Sequence, residues 1–395
     1  MNIDIIVWAI DDFNAMALLR QLGQCENANI LFLIIGKKRY AYKSKYCKRY
    51  IETNGLDEGY NYLLSNYSNK ANKPIIFTSG DNVMVYIDQH KKELEPYFYL
   101  PGCIKQGDTE FYTDKYNMWC VAKEVGMTVP NCICITKKEK EKLTNTKYPC
   151  LIKPSHETPG LYNEFKFRIC KSEKKLLNTL KYVRSTSIFV VQDYIECKQQ
   201  LLVYGCRTKD RKVVVSGSML VDRFSETGSS SYGMISNDLF DLIDINLINK
   251  FLDKIDYVGL FSFEFGILNN KAYFFEVNLR NDGTSNFFFQ SGSNIPLHLA
   301  YSFLDIKGNI NTVSKKGIAI DDLYDYENVL KKRITKKDWF KELDEANYFK
   351  YYDAQDLEPY IEAKKGSKKQ MKKDILLKKY RLMIVFIFGK LGLKK

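Results

Sequence analysis

The chain has 395 residues, 45% of them hydrophobic and 14% aromatic, enough for two or three cored domains and too apolar for a disordered polypeptide. Its net charge of +13 is concentrated: residues 364–395 contribute +11 and the first 363 only +2, which argues against a nucleic-acid-binding body and for a tail that meets something anionic. Ten cysteines with no C-x-x-C pair, and three histidines, argue against a zinc site and for the reduced thiols of a cytoplasmic protein.

The N-terminus, Met1-Asn-Ile-Asp-Ile-Ile-Val-Trp8, lacks a basic segment and carries Asp4 inside its apolar stretch, so no secretory signal is expected. Ile3–Ile10 and Ile30–Ile35 are apolar runs of buried-strand length, Asn14–Leu22 has helical spacing, and Pro74–Gly80 reads as a strand ending in a turn. Residues 1–112 therefore form a doubly wound parallel α/β domain. After its first strand stands Ile10-Asp-Asp-Phe-Asn-Ala15, without the glycines of a dinucleotide loop, which argues against NAD. A helix capped by Thr113 or Asp114 and closed by Gly126 follows, with Met118, Val121, Ala122 and Val125 on its apolar face. Tyr148–Pro154 and Ile188–Ile195 read as strands. Two strand pairs, in Gln200–Val221 and Leu260–Asn278, turn at Lys209–Arg211 and Asn269–Lys271. From residue 113 onward the pattern is α+β.

The second of these hairpins carries the chemistry. Glu264 lies on its first strand, and Glu276, Asn278 and Arg280, spaced by two, share one face of its second. The intervening Phe263, Phe265, Phe275 and Val277 are expected to face the core. Carboxylate and amide oxygens on rigid strands suit Mg²⁺, a hard cation that shares its ligands with phosphates. An arginine beside them suits a phosphoryl or carboxylate oxygen.

Glu276-x-Asn278-x-Arg280, with an acid twelve positions earlier, resembles the metal site of the ATP-grasp superfamily. Asp114-Lys115 ahead of Gly126 and Pro130 resembles its first phosphate-lysine segment. Pro149-Cys-Leu-Ile-Lys153-Pro154 resembles the strand that supplies its second, and Val191-Gln-Asp-Tyr-Ile195 the hinge that reads adenine. The resemblance spans roughly residues 1–300 and implies an ATP-grasp fold behind a doubly wound pre-ATP-grasp domain. It divides the chain into a central subdomain (113–190), a C-terminal subdomain with the metal hairpin (191–310), a helical extension (311–363) and the basic tail (364–395).

The same resemblance implies the roles. Glu264, Glu276 and Asn278 hold one or two Mg²⁺ ions, or Mn²⁺ in their place. Lys115 and Lys153 hold the phosphates of ATP. Gln192, Asp193, Tyr194 and Ile195 meet the adenine, and Gln199 stands where the family has a ribose-binding glutamate. Arg280 serves the transferring phosphoryl, and Arg223 is the candidate for the acceptor carboxylate. The loop after Lys153, Ser155-His-Glu-Thr-Pro-Gly160, has few of the family's small residues.

The activity implied is an ADP-forming carboxylate–amine ligase working through an acyl phosphate. Its acid is a small or glycan-linked carboxylate, and an amino acid is the candidate amine, in the manner of D-aspartate ligase. The tail joins its basic run to the apolar Leu382–Phe388, a composition suited to an anionic membrane face and to cell-envelope precursors. Two other readings, a nucleotide-binding protein without turnover and a nucleic-acid binder using the tail, are weakened by the intact Glu276, Asn278 and Arg280 and by the near-neutral body.

Overall fold

The computed structural model describes residues 3–70, 72–156, 165–184, 186–225 and 228–367. The tail from residue 368, including Leu382–Phe388, lies outside the described residues, as do Gly160 and its neighbours in the loop after Lys153.

The first sheet is parallel. It runs β3-β2-β1-β4, from β1 (Ile3–Ala9), β2 (Ala28–Ile35), β3 (Arg49–Thr53) and β4 (Ile75–Phe77). β1 and β2 are nearly all apolar because both faces are covered. Ile5 and Val7 pack with Ala15, Leu18 and Leu19 of α1 (Phe13–Leu22). Ile6 and Trp8 pack with Leu63 of α2 (Leu56–Tyr67) and with Val83 and Ile87 of α3 (Asp81–Gln89). Where a dinucleotide loop would need glycine, Asp12 caps α1, accepting the N–H groups of Asn14 and Ala15 at 2.9 and 3.1 Å.

After α4 (Lys91–Leu94), β5 (Gly102–Cys103) and α5 (Asp108–Thr113) the chain enters α6 (Lys115–Glu124), capped by Asp114. A second, antiparallel sheet follows in the order β6-β9-β7-β8, built from β6 (Cys132–Thr136), β7 (Cys150–Pro154), β8 (Arg168–Cys170) and β9 (Ile188–Asp193). Leu176 and Leu180 of α7 (Glu173–Lys181) seal one side of it.

The third sheet is the largest. Its strands are β10 (Gln199–Arg207), β11 (Val213–Phe224), β12 (Ser230–Ser236), β13 (Tyr257–Leu268), β14 (Lys271–Asn278), β15 (Gly317–Ile320) and β16 (Tyr348–Phe349), in the order β14-β13-β10-β11-β12-β15-β16, with β5 paired to β13. Asn269 and Asn270 turn β13 into β14 with φ of 51° and 55°, the left-handed pair that a tight two-residue loop requires. Phe251 of α8 (Ile245–Lys254) packs edge-on against Phe263 beneath this hairpin.

Two expectations are corrected. Residues 311–363 are not only helical: Gly317–Ile320 and Tyr348–Phe349 extend the large sheet past β12, whose backbone groups would otherwise form an open edge. Phe275 does not face the core; Phe274 does, at 1% exposed. The register slips between Glu264 and Phe265, so Phe275 is an extra residue on β14. Its ring lies over Gly266, where an added Cβ would come within 2.1 Å of it. The bulge changes the phase of the strand, so that Ala272 and Phe274 before it and Val277 and Leu279 after it are all buried.

The first sheet and the large sheet share a core. Leu202, Tyr204 and Met219 join the α1 cluster, along with Phe287 and Phe288 of α9 (Ser285–Gln290) and Leu299 and Ala300 of α10 (Ile295–Phe303). A buried ion pair adds a second tie. Arg20, fully buried in α1, donates through Nε to Asp356 Oδ2 at 2.9 Å and through Nη2 to the Asp356 carbonyl at 3.0 Å. Asp356 also accepts from the Ser44 hydroxyl and the Lys45 N–H, each at 2.9 Å. Removing one partner of such a pair leaves a charge buried and unmet. Asp356→Ala should therefore cost about 3–5 kcal/mol in urea denaturation, and an unchanged midpoint would show that the extension is not held by this pair.

Candidate nucleotide and metal site

β13 and β14 place the hairpin residues in register: Glu264 opposite Glu276, and Ser262 opposite Asn278. Directly opposed side chains share a face, so the two carboxylates meet. The bulge at Phe275 directly precedes Glu276 and re-aims it without disturbing the core side of the strand. Asn278 Nδ2 donates to Glu264 Oε1 at 3.1 Å, and Arg280 Nη2 donates to Asn278 Oδ1 at 3.1 Å.

Both lysines are brought to this pair. Lys153, on β7 and 9% exposed, holds its Nζ 4.0 Å from Glu276 Oε2. Lys115 opens α6, and that helix is tied to the end of β7: the Lys115 N–H donates to the Ser155 carbonyl at 2.8 Å, and the Ser155 hydroxyl donates to Asp114 Oδ2 at 2.7 Å. The cap of one element and the end of another thus fix the two cations relative to each other.

The charged groups of the site act strongly on one another. Burial raises the carboxyl of Glu276, but Lys153, Lys115 and Lys166 together more than offset it, and the net shift is downward. Lys153 is shifted down by its own burial despite Glu276. Glu264 is pushed up to about 8 by burial first and then by the charges of Glu276 and Asp282. Two half-buried carboxylates and an amide oxygen, one carboxyl raised by burial first and then by the charge of the other, are hard oxygen donors of the kind a divalent cation takes.

Three residues belong here that sequence reasoning missed. Asp81, the first residue of α3, accepts from Arg280 Nε at 2.6 Å and Nη2 at 2.9 Å across 199 residues of chain. It follows the carboxyl end of β4, beside β1 where the strand order of the parallel sheet reverses, and that position was its one signal. Asp282 and Lys166 act on the site through their charges.

Other expected residues are engaged elsewhere. The Arg223 guanidinium is taken up by Asp325 at 2.8 Å and by Glu342 at 2.6 Å, the latter on α12 (Lys336–Glu345), and it covers the Tyr232 ring at 4.0 Å. It serves to fasten the extension, which includes the short helix α11 (Glu327–Leu330), to the large sheet. Gln199 donates to Asp222 Oδ1 at 2.6 Å. In the hinge, Gln192 is buried, Asp193 pairs with Asn131 through its N–H at 3.0 Å and its Oδ2 at 2.7 Å, the Tyr194 N–H donates to the Pro149 carbonyl at 3.2 Å, and the Ile195 carbonyl accepts from Cys197 at 2.9 Å. These bonds fix the point where the chain leaves β9 for β10.

A carboxyl that holds its proton up to about pH 8 must release it before it can ligate a cation. Mn²⁺ affinity should therefore climb as pH rises from about 6.5 towards 8 and flatten above, and Glu264→Gln should remove that dependence. Affinity independent of pH in the unmodified protein would contradict the assignment of Glu264.

No family model matches the sequence, and no curated protein matches it. Solved structures do match. N5-carboxyaminoimidazole synthetase from Staphylococcus aureus, complexed with ADP, superposes with a TM-score of 0.66 at 13% identity over 87% of each chain. N5-carboxyaminoimidazole ribonucleotide synthetase from Thermus thermophilus gives 0.64 at 14% identity over 80% of this chain and 82% of that one. L-amino acid ligase from Bacillus licheniformis gives 0.59 at 12% identity over 76% and 74%. At such identities the likeness carries architecture and not activity. With its parallel N-terminal domain ahead of two further sheets that bring Lys153 to Glu276, the chain has the ATP-grasp fold.

Proposed function

We propose that the chain is an ATP- and Mg²⁺-dependent carboxylate–amine ligase that forms an amide and releases ADP and phosphate. One observation carries the reading: Lys153 from the second sheet stands 4.0 Å from Glu276 of the third, in the same place as Glu264, Asn278 and, through its charge, Lys115. Lysine ammoniums beside hard oxygen ligands fit a polyphosphate with its metal. The likeness to a synthetase that binds ADP supports the same reading.

A carboxylate resists amines because it is anionic and its leaving group is oxide. Transfer of the γ-phosphoryl to one of its oxygens forms a P–O bond, breaks the bond to ADP and leaves an acyl phosphate; the amine then displaces phosphate. That transfer depends on position and charge. Lys115 and Lys153 hold the phosphate chain as point charges. Glu264, Glu276 and Asn278 would hold Mg²⁺, or Mn²⁺ in its place, which supplies neutralisation of the phosphate oxygens. Gln192 to Ile195 border the adenine. The ribose meets the Gln199–Asp222 pair, where Asp222 provides the carboxylate that Gln199 lacks. Arg223 takes no part, because Asp325 and Glu342 hold it.

The substrate class is a small or glycan-linked carboxylate with an amine such as an amino acid's. The +11 of residues 364–395 supports work at an anionic membrane face on cell-envelope precursors. Among the described residues no helix is long and apolar enough to cross a membrane.

Glu276→Gln should leave the fold intact and lower turnover at least about 100-fold, because it removes a charged ligand from the phosphate-facing pair. Full activity in a folded variant would remove the site. With ATP and the acid but no amine, hydroxylamine should trap the activated acid as a hydroxamate, with ADP as the co-product. Formation of AMP would mean adenylation and would sink the acyl-phosphate route.

A further inference from the structure

The Arg280 guanidinium is almost saturated by the protein itself. Of its five N–H donors, Nε and one of Nη2 go to Asp81, the other Nη2 donor goes to Asn278 Oδ1, and Nη1 gives one to the Asn281 carbonyl at 3.0 Å. A forked pair with Asp81 at 2.6 and 2.9 Å is the strongest of these contacts, and it reaches from the first domain to the hairpin. The Arg280 side chain is 16% exposed and that of Asp81 43%, so the guanidinium is the more sheltered partner.

The consequence lies in where Arg280 would otherwise turn. The acids next in influence on it after Asp81 are Asp282 and Glu276, and Glu264 feels its charge as well. Asp282 already accepts the Thr284 N–H at 2.8 Å and the Thr284 hydroxyl at 2.5 Å. On the hairpin face itself, Arg280 Nη2 already reaches Asn278 Oδ1 and Asn278 Nδ2 reaches Glu264 Oε1, each at 3.1 Å, so Glu264 and the Glu276 opposite it are the carboxylates next along that face. A guanidinium that forked onto either would use the same oxygens a metal needs, and would set a fixed positive charge beside it.

We propose that Asp81 is a positioning residue that holds the Arg280 guanidinium off Glu264 and Glu276, keeping their oxygens open to a divalent cation. This rests on the reading of those carboxylates as metal ligands. Because Asp81 sits on α3 and Glu276 on β14, the cation site is complete only when the first domain is docked on the large sheet. Metal affinity is thereby coupled to the position of a domain that supplies no ligand.

The test is Mn²⁺ binding to the full-length protein with ADP, followed by electron paramagnetic resonance, with thermal melts to confirm folding. Asp81→Asn, which keeps shape and loses charge, should weaken Mn²⁺ about tenfold or more while leaving metal-free ADP binding within about twofold. Asp81→Glu should retain most of the affinity. Adding Arg280→Gln to Asp81→Asn should restore Mn²⁺ binding, since the competing guanidinium is gone. Asp282→Asn removes the same charge nearby without freeing Arg280 and should not weaken Mn²⁺. Equal Mn²⁺ affinity in Asp81→Asn and the unmodified protein would overturn the proposal. So would a double variant as weak as Asp81→Asn, or an Asp282→Asn loss of the same size, which would show a general field effect. If the unmodified protein bound no Mn²⁺ with ADP, the metal reading itself would fall and this inference with it. Mn²⁺ binding that is lost in Glu276→Gln but kept in Asp81→Asn would sink only the role of Asp81.

Discussion

Glu264 and Glu276 oppose each other, half-buried, across one antiparallel strand pair, and two like charges so placed do not coexist without compensation. The protein supplies part of it. Lys153, Lys115 and Lys166 keep Glu276 ionised, while Glu264 is left to hold a proton up to about pH 8. Much of the surrounding architecture bears on that pair. The bulge at Phe275 aims Glu276, the α6–β7 tie fixes the lysines, and Asp81 takes up the Arg280 guanidinium.

Rigid elements make this arrangement reproducible. Glu264 and Glu276 stand on a hairpin whose far side is a packed aromatic layer of Phe251, Phe263, Phe265 and Phe274, so neither strand can rotate without opening the core. Lys153 stands on a strand of a separate sheet with its own small core. The first domain goes with the hairpin, because it shares the core of the large sheet and is tied to it by Arg20–Asp356.

The parts legible in the sequence were those governed by local rules. Alternation with period two placed Glu264, Glu276 and Asn278 together, capping chemistry placed Lys115 at the head of its helix, and a short apolar strand carried Lys153. The parts that were not legible depend on pairing across long stretches of chain. Arg223 was expected at the acceptor carboxylate, but its partners lie 102 and 119 residues on. Asp81 stands outside every motif, and its partner is 199 residues away. Phe275 was misplaced because a single inserted residue reverses the inward phase of everything after it, and periodicity read from one strand alone does not reveal a bulge in the pair. The edge strands of the extension were hidden for the same reason: four and two residues are too short to carry a pattern without the strand they pair with.

The central claim is that one cleft holds both the phosphates and the metal. A crystal structure with a non-hydrolysable ATP analogue and Mn²⁺, phased to show anomalous scattering, tests it directly. The account predicts an anomalous peak within coordination distance of Glu264 and Glu276 oxygens, with the β- and γ-phosphates on the same ion and in reach of Lys115 and Lys153. A nucleotide bound away from the hairpin, or phosphates in the cleft with no metal on either glutamate, would contradict it.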